Sequence, residues 1–160
     1  MSVILPVAQR GEEILKLKAA LVSDVEFNSK WLMALASAMH ATMLERNGVG
    51  IAAPQVYISK RVIIVASRPN PRYPEAPEMD AVVMVNPEIL EFSQATCLGE
   101  EGCLSVPNER GQVERAQVVK VRYYTLQGER VETTFEGFPA RIVQHEVDHL
   151  DGVLFVERMN

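Results

Sequence analysis

Apolar residues recur along this chain at two different periods, and the periods divide it into elements. Over residues 28–46, Trp31, Leu35, Met39 and Met43 return every four positions, which predicts an amphipathic helix with one buried stripe. Asn28 or Ser29 can cap its start, and Asn47-Gly48 stops it. A shorter helix is expected over residues 12–21. After Gly48 the pattern changes. Residues 61–67 (RVIIVAS) and 81–86 (AVVMVN) are unbroken apolar runs that read as buried strands, and residues 88–92 read as a short strand after Pro87. Between the first two runs, residues 67–80 carry four prolines and read as a surface loop. Residues 117–125 and 130–136 flank Leu126-Gln127-Gly128-Glu129, a hairpin signal. Residues 139–150 return to helical spacing, with Pro139 in the first turn and Gly152 past the end. The order of helices, then strands, then one helix predicts an α+β fold and not alternating βαβ units.

Composition narrows this further. A chain of 160 residues, 48% hydrophobic and 23% charged, is read as a single domain spanning residues 1–160. A net charge of −5 offers no electrostatic footprint for nucleic acid or an anionic membrane. The apolar runs are far shorter than a membrane span. No basic region precedes the brief apolar stretch near the start, so a cytoplasmic protein is expected. Cys97 and Cys103 lie six positions apart, beyond disulfide reach in an extended chain, and are expected to stay reduced.

The last helix carries the chemistry. His145 and His149 are four apart and project from one helix face, where two imidazoles can hold one metal ion. Glu146, beside the first, can reach a water at such an ion, which is the physical content of an H-E-x-x-H pattern. The chain has only three histidines, and two fall here. The third, His40, is read as a residue of the first helix and not as a ligand. A third ligand is needed. Downstream, only Asp151 and Glu157 remain as carboxylates, and Phe155 stands where a third histidine would follow Gly152. The search therefore turns upstream, where Cys103 in residues 101–105 (EGCLS) is the best candidate, beside a glycine that permits a sharp turn. Cys97 is read as an ordinary thiol.

Residues 48–55 (GVGIAAPQ) follow a helix, so they are not a dinucleotide fingerprint, which needs a strand before it. Small residues here suit close approach of another backbone, and Gln55 carries an amide donor suited to an oxyanion.

Together the three segments GVGIAAPQ (48–55), EGCLS (101–105) and QHEVDHLDG (144–152) resemble the three motifs of the peptide deformylases, in that family's order. The resemblance implies a mixed α+β domain with sheets packed around a central metal-bearing helix. It implies an enzyme that removes the N-terminal formyl group from formyl-methionyl nascent polypeptides and releases formate. It implies one divalent metal ion held by Cys103, His145 and His149, natively Fe²⁺, with Zn²⁺, Ni²⁺ or Co²⁺ as substitutes. Glu146 becomes the general base, and the Gln55 side chain and Leu104 N–H become the oxyanion donors. By position around the motifs, Val49, Phe138 and Ile142 are expected to line a methionine pocket, and the peptide to lie along the Gly50–Ile51 backbone as an added strand. Arg110 is a further substrate-contact candidate, and Arg115 is a candidate partner of Glu101 or Asp148.

Two features depart from the family. Residues 1–26 match its usual start poorly, and the sequence stops soon after the third motif, which argues against ribosome association through a C-terminal tail. A monomer is expected. Two other readings stay open from residues alone: another H-E-x-x-H metal amidohydrolase or peptidase, and a deformylase-like binding protein without catalysis.

Overall fold

The apolar run at residues 62–65 is buried on both faces, and the other elements stack around it. A computed structural model describes residues 3–159. In chain order its elements are α1 (Lys30–Glu45), β1 (Gly50–Ala52), β2 (Val62–Val65), β3 (Val82–Phe92), β4 (Thr96–Cys103), β5 (Val106–Ala116), β6 (Val118–Tyr124), β7 (Arg130–Glu136) and α2 (Phe138–Leu150). Five strands form one antiparallel sheet in the order β1-β2-β3-β6-β7, and β4 with β5 forms a separate antiparallel hairpin. Alternation along β2 sends Ile63 and Val65 toward α2, where they meet Ile142, Val143 and Leu150. Val62 and Ile64 face the opposite layer, with Leu32, Leu35, Met39 and Met43 of α1. A strand covered on both faces reads as a continuous apolar run, which is why this one is visible in the sequence. The architecture is α+β, with antiparallel sheets around α2. No described helix is long and apolar enough to cross a membrane.

Several boundaries differ from the expectation. α1 starts after Ser29, whose Oγ accepts the Leu32 N–H at 3.1 Å. Its buried stripe uses Leu32 in place of Trp31, which is 43% exposed. A strict four-residue repeat slips by about 40° per step against 3.6 residues per turn, so three steps back from Met43 carry Trp31 out of the stripe. Residues 12–21 form only one 3-10 turn, Glu13–Lys16, and then run extended. Ala19 N–H donates to Leu150 O at 2.8 Å, and Ala20 pairs with Lys60. Tertiary hydrogen bonds override the local helical pattern there.

The two short strands expected around Pro87 are one strand, β3. Asn86 adopts φ +50°, and the register with β6 shifts between Val85 and Glu88. This bulge accommodates the proline. The Asn86 side chain is tied down too: it accepts Val22 N–H at 2.9 Å and donates to Val22 O at 3.0 Å. No sequence pattern marks the β4–β5 hairpin. Much of β4 is exposed, so no apolar alternation advertises it.

Candidate active site

α2 is buried along most of its length, which is unusual for a helix bearing two histidines, a glutamate, a glutamine and an arginine. Each of these polar groups therefore needs a partner. Gln144 finds one in the backbone of Ala116, donating to its carbonyl at 2.9 Å and accepting its N–H at 3.1 Å, which fastens the helix to the end of β5. His145 Nδ1 lies 2.9 Å from Glu101 Oε1. A carboxylate there fixes the proton on Nδ1 and leaves Nε2 as the free donor atom. Phe155 stacks on the same imidazole at 6.0 Å between ring centroids. Glu101 is itself fixed by Arg115, through Nε and Nη2 at 2.9 Å each, and by Arg141 Nη1 at 2.7 Å. Arg115 also donates to Asp148 at 2.7 Å, so it pairs with both expected partners at once.

Cys103 closes β4. The register between β4 and β5 shifts there, the two-residue turn Leu104-Ser105 follows, and the thiol points under α2. Its Sγ sits 3.3 Å from His149 Nε2. One donor atom each from Cys103, His145 and His149 falls within 4.8 Å of the others, and all three residues are buried. Gln55 hangs over this trio. Its Oε1 accepts the Ala52 N–H at 3.0 Å, which turns Nε2 toward Ser105 Oγ at 3.1 Å and Cys103 Sγ at 3.6 Å. Gly50 lies against Glu146: a Cβ on it would come within 2.7 Å of Glu146 Oε2 and of Ile142 Cγ2.

The electrostatics agree with a metal site. Burial alone would push the Glu101 carboxyl up, but His145 and Arg115 hold it well below its ordinary range. Burial also acts to raise the Cys103 thiol, and the two histidines more than offset it, so the thiolate is favoured. A thiolate and two imidazoles form a donor set that suits Zn²⁺ or Fe²⁺. Burial pushes Glu146 up to about 7, and its Oε1 is buried with no hydrogen-bond partner. Such an orphaned oxygen in a cleft fits a group whose natural partner is water or substrate. These residues fit a bound divalent cation.

The cleft above the trio encloses about 30 Å³, room for one or two water molecules, and opens to solvent beyond. It brings together Cys103, His145, Glu146, Gln55 and Leu104, and Val49, Gly50, Phe138 and Ile142 line its apolar side. Three expected residues do not line it, the first being His149, which is buried with its Nε2 against Cys103. Ile51 turns its side chain into the layer beside α1, leaving only its backbone on this side. Arg110 lies in a neighbouring cavity, its guanidinium 4.7 Å from the centre of the Tyr73 ring. His40 stays on α1, outside the trio, and Cys97 is exposed and free.

Three further residues, Arg72, Tyr73 and Arg141, line the cleft without belonging to any of the three motifs. Tyr73 comes from the proline-rich loop, and its hydroxyl accepts the Gly102 N–H at 2.9 Å, bracing the residue before Cys103. Arg72 precedes it. Arg141 stands one helical turn before His145 on the same buried face, so an arginine there had to find an acid; that spacing was the available clue.

The model of the polypeptide deformylase family matches residues 4–160 of this chain. Peptide deformylase 2 of Nostoc sp. is 49% identical over 156 residues, covering 98% of this chain and 86% of the relative. Peptide deformylase 2 of Shewanella oneidensis is 50% identical over 154 residues, covering 96% and 83%. The Met-Ala-Ser-bound class I type b peptide deformylase from Acinetobacter baumannii superposes with a TM-score of 0.97 at 82% identity, over 99% of this chain and 100% of that one.

Proposed function

The chain belongs to the polypeptide deformylase family, and on that premise we propose that Cys103, His145 and His149 hold one divalent metal ion, that Glu146 is the general base, and that Gln55 and the Leu104 N–H receive the oxyanion. It is a metal-dependent hydrolase that removes the N-terminal formyl group from formyl-methionyl nascent polypeptides. One observation carries the assignment of roles: three donor atoms within 4.8 Å lie beneath the Gln55 amide and beside a partnerless Glu146 oxygen.

When bound, a divalent cation supplies Lewis acidity, which makes water a competent nucleophile near neutral pH. The protein's own groups do the rest. Glu146, with its proton affinity raised by burial, accepts a proton from the attacking water and passes it to the departing amine. The formyl oxygen gains negative charge as its carbon becomes tetrahedral, and Gln55 Nε2 is pre-aimed at that region because Ala52 holds its oxygen. Val49, Phe138 and Ile142 take the methionine side chain. β1 is an edge strand: Val49 O accepts from Ala66 on the β2 side, so by alternation Gly50 turns its N–H and C=O outward, where an extended peptide can pair. Ile51 only continues the strand, since the same alternation turns its N–H and C=O toward β2, and Arg110 acts further out. Fe²⁺ is the native ion in this reading, with Zn²⁺, Ni²⁺ or Co²⁺ able to replace it, since mixed sulfur and nitrogen donors accept several metals. A monomer is the working unit in this reading.

The test is formate release from a formyl-Met peptide under anaerobic conditions with Fe²⁺ or Ni²⁺, comparing wild type with Glu146→Ala. Wild type turns over and the variant does not; inactivity of both overturns the assignment. Separately, a Cys103→Ala variant that retained full metal content would remove Cys103 from the ligand set.

A further inference from the structure

The cleft continues past the metal donors. Arg72, Cys103 and Leu104 line both the active-site cleft and a second, adjoining cavity, whose outer wall carries Arg46, Arg110 and Glu109. Three guanidiniums thus face one carboxylate, and that carboxylate is already engaged by Arg10 at 3.0 Å. Arg110 has Glu100 at 3.5 Å and rests on the Tyr73 ring. Arg46 and Arg72 have no carboxylate within ion-pair distance among the described residues. Arg72 and Arg110 also converge: a Cβ on Gly102 would lie 2.8 Å from Arg110 Nη1 and 3.1 Å from Arg72 Nη2. On a chain of net charge −5, this is a local surplus of positive charge beside the reaction site. Like charges are held together here without an internal counter-charge for two of them.

We propose that Arg46 and Arg72 are specificity-determining residues that favour formylated peptides bearing a carboxylate just beyond the methionine. The proposal rests on the deformylase reading above. With the methionine side chain among Val49, Phe138 and Ile142 and the formyl group above Cys103, the following residues leave the cleft along the shared wall of Arg72 and Leu104. A carboxylate there meets planar, permanently charged donors of matching geometry. A lysine or arginine at the same place meets like charge. Two sources supply the chemistry: an acidic side chain at the second or third residue, or the terminal carboxylate of a short peptide. The wall is open to solvent, so its influence is screened by salt.

The experiment compares kcat/KM for C-terminally amidated formyl-Met tripeptides with Glu, Ala or Lys at the second or third position, and for formyl-Met-Ala-Ala as free acid and as amide. In wild type at low salt, the better Glu position exceeds Lys by about threefold to tenfold, the range of one or two exposed ion pairs, and the ratio falls toward one at high salt. The double variant Arg46→Gln, Arg72→Gln brings the ratio to about one. The ratio is internal to each protein, so a general loss of activity does not imitate the result. A preference seen only for the free acid over the amide assigns the wall to terminal carboxylates. Wild-type ratios of one for both comparisons, with the Ala amide still hydrolysed, overturn this proposal and leave the deformylase reading intact. A preference that survives in the double variant overturns the assignment to these arginines. If no formyl peptide is hydrolysed, both fall.

Discussion

Glu101 and His145 meet at 2.9 Å, and through this contact two buried arginines reach the proposed metal donors. The carboxylate has no spare capacity, since both of its oxygens accept from two donors each. In Glu101→Gln the amide has to turn an N–H toward an arginine or toward His145, leaving a buried donor facing a donor. Metal affinity is expected to fall about tenfold to a hundredfold, the usual effect of losing a group that orients a ligand. Competition with a calibrated chelator measures it, and wild-type affinity in the variant would remove Glu101 from this role.

Gly50→Ala tests how closely Glu146, the proposed general base, is packed. The backbone at Gly50 is not in the left-handed region, so the added methyl is the whole perturbation. It would lie 2.7 Å from Glu146 Oε2, so the carboxylate has to move. A misplacement of roughly 1 Å costs on the order of 10²-fold in rate. Overpacking adds about 1–3 kcal/mol of destabilisation. The expected result is a folded, metal-loaded protein with kcat reduced by that factor; unchanged kcat would show that Glu146 tolerates displacement.

Gln55→Leu removes the proposed side-chain oxyanion donor while keeping the residue's bulk. The loss in kcat is expected at about 10²–10³-fold, or about 2.7–4 kcal/mol of transition-state stabilisation. KM should change much less, because the donor acts on charge that develops only during reaction. Stability falls as well, since the Ala52 N–H loses its acceptor. Steady-state kinetics at a temperature well below the variant's Tm separates the two effects, and a rise in KM at constant kcat would contradict the oxyanion role.

Acid should loosen the metal-free protein through Glu101. Its carboxyl is held well below its ordinary value of 4.5, although burial opposes this, by His145 and Arg115. A group lowered in the folded state adds stability that is complete above the unfolded value and is lost as pH falls toward the folded one. The Tm advantage of wild type over Glu101→Gln is therefore expected to be level from pH 7 to about 5 and to shrink below about 4.5. Thermal melts of both proteins in chelator across that range provide the check. A constant difference down to pH 3 would show that the pairing does not set acid stability.

The parts of the site that were legible in the sequence were those written in local spacing. His145, Glu146 and His149 share one helix, and four-residue spacing alone puts the two imidazoles on one face. Cys103 and Gln55 announced themselves through short motifs, EGCLS and GVGIAAPQ, rich in small residues. What stayed hidden depends on contacts between distant positions. Arg141 reaches Glu101 across 40 positions and Tyr73 reaches Gly102 across 29, and no periodicity records such pairings. The β4–β5 hairpin was hidden for another reason: its exposed half carries Glu100, Leu98 and Cys97 without alternation, because solvent imposes none. Trp31 misled because a four-residue repeat resembles a helical stripe only over short distances.

The donor set is split between the end of β4 and the last long helix, with His149 only two positions before Asp151 leaves that helix. During translation, Cys103 emerges long before the residues that complete its site, and domains organise from the N-terminal end as they are made. The sheet and α1 can begin to form while the hydrolytic centre is still only a thiol in a hairpin. If the three donors act as proposed, a chain on the ribosome is catalytically silent until His149 has been made, and products truncated before it cannot interfere by partial activity. Any trimming that such a chain needs during its own production has to be done by copies finished earlier.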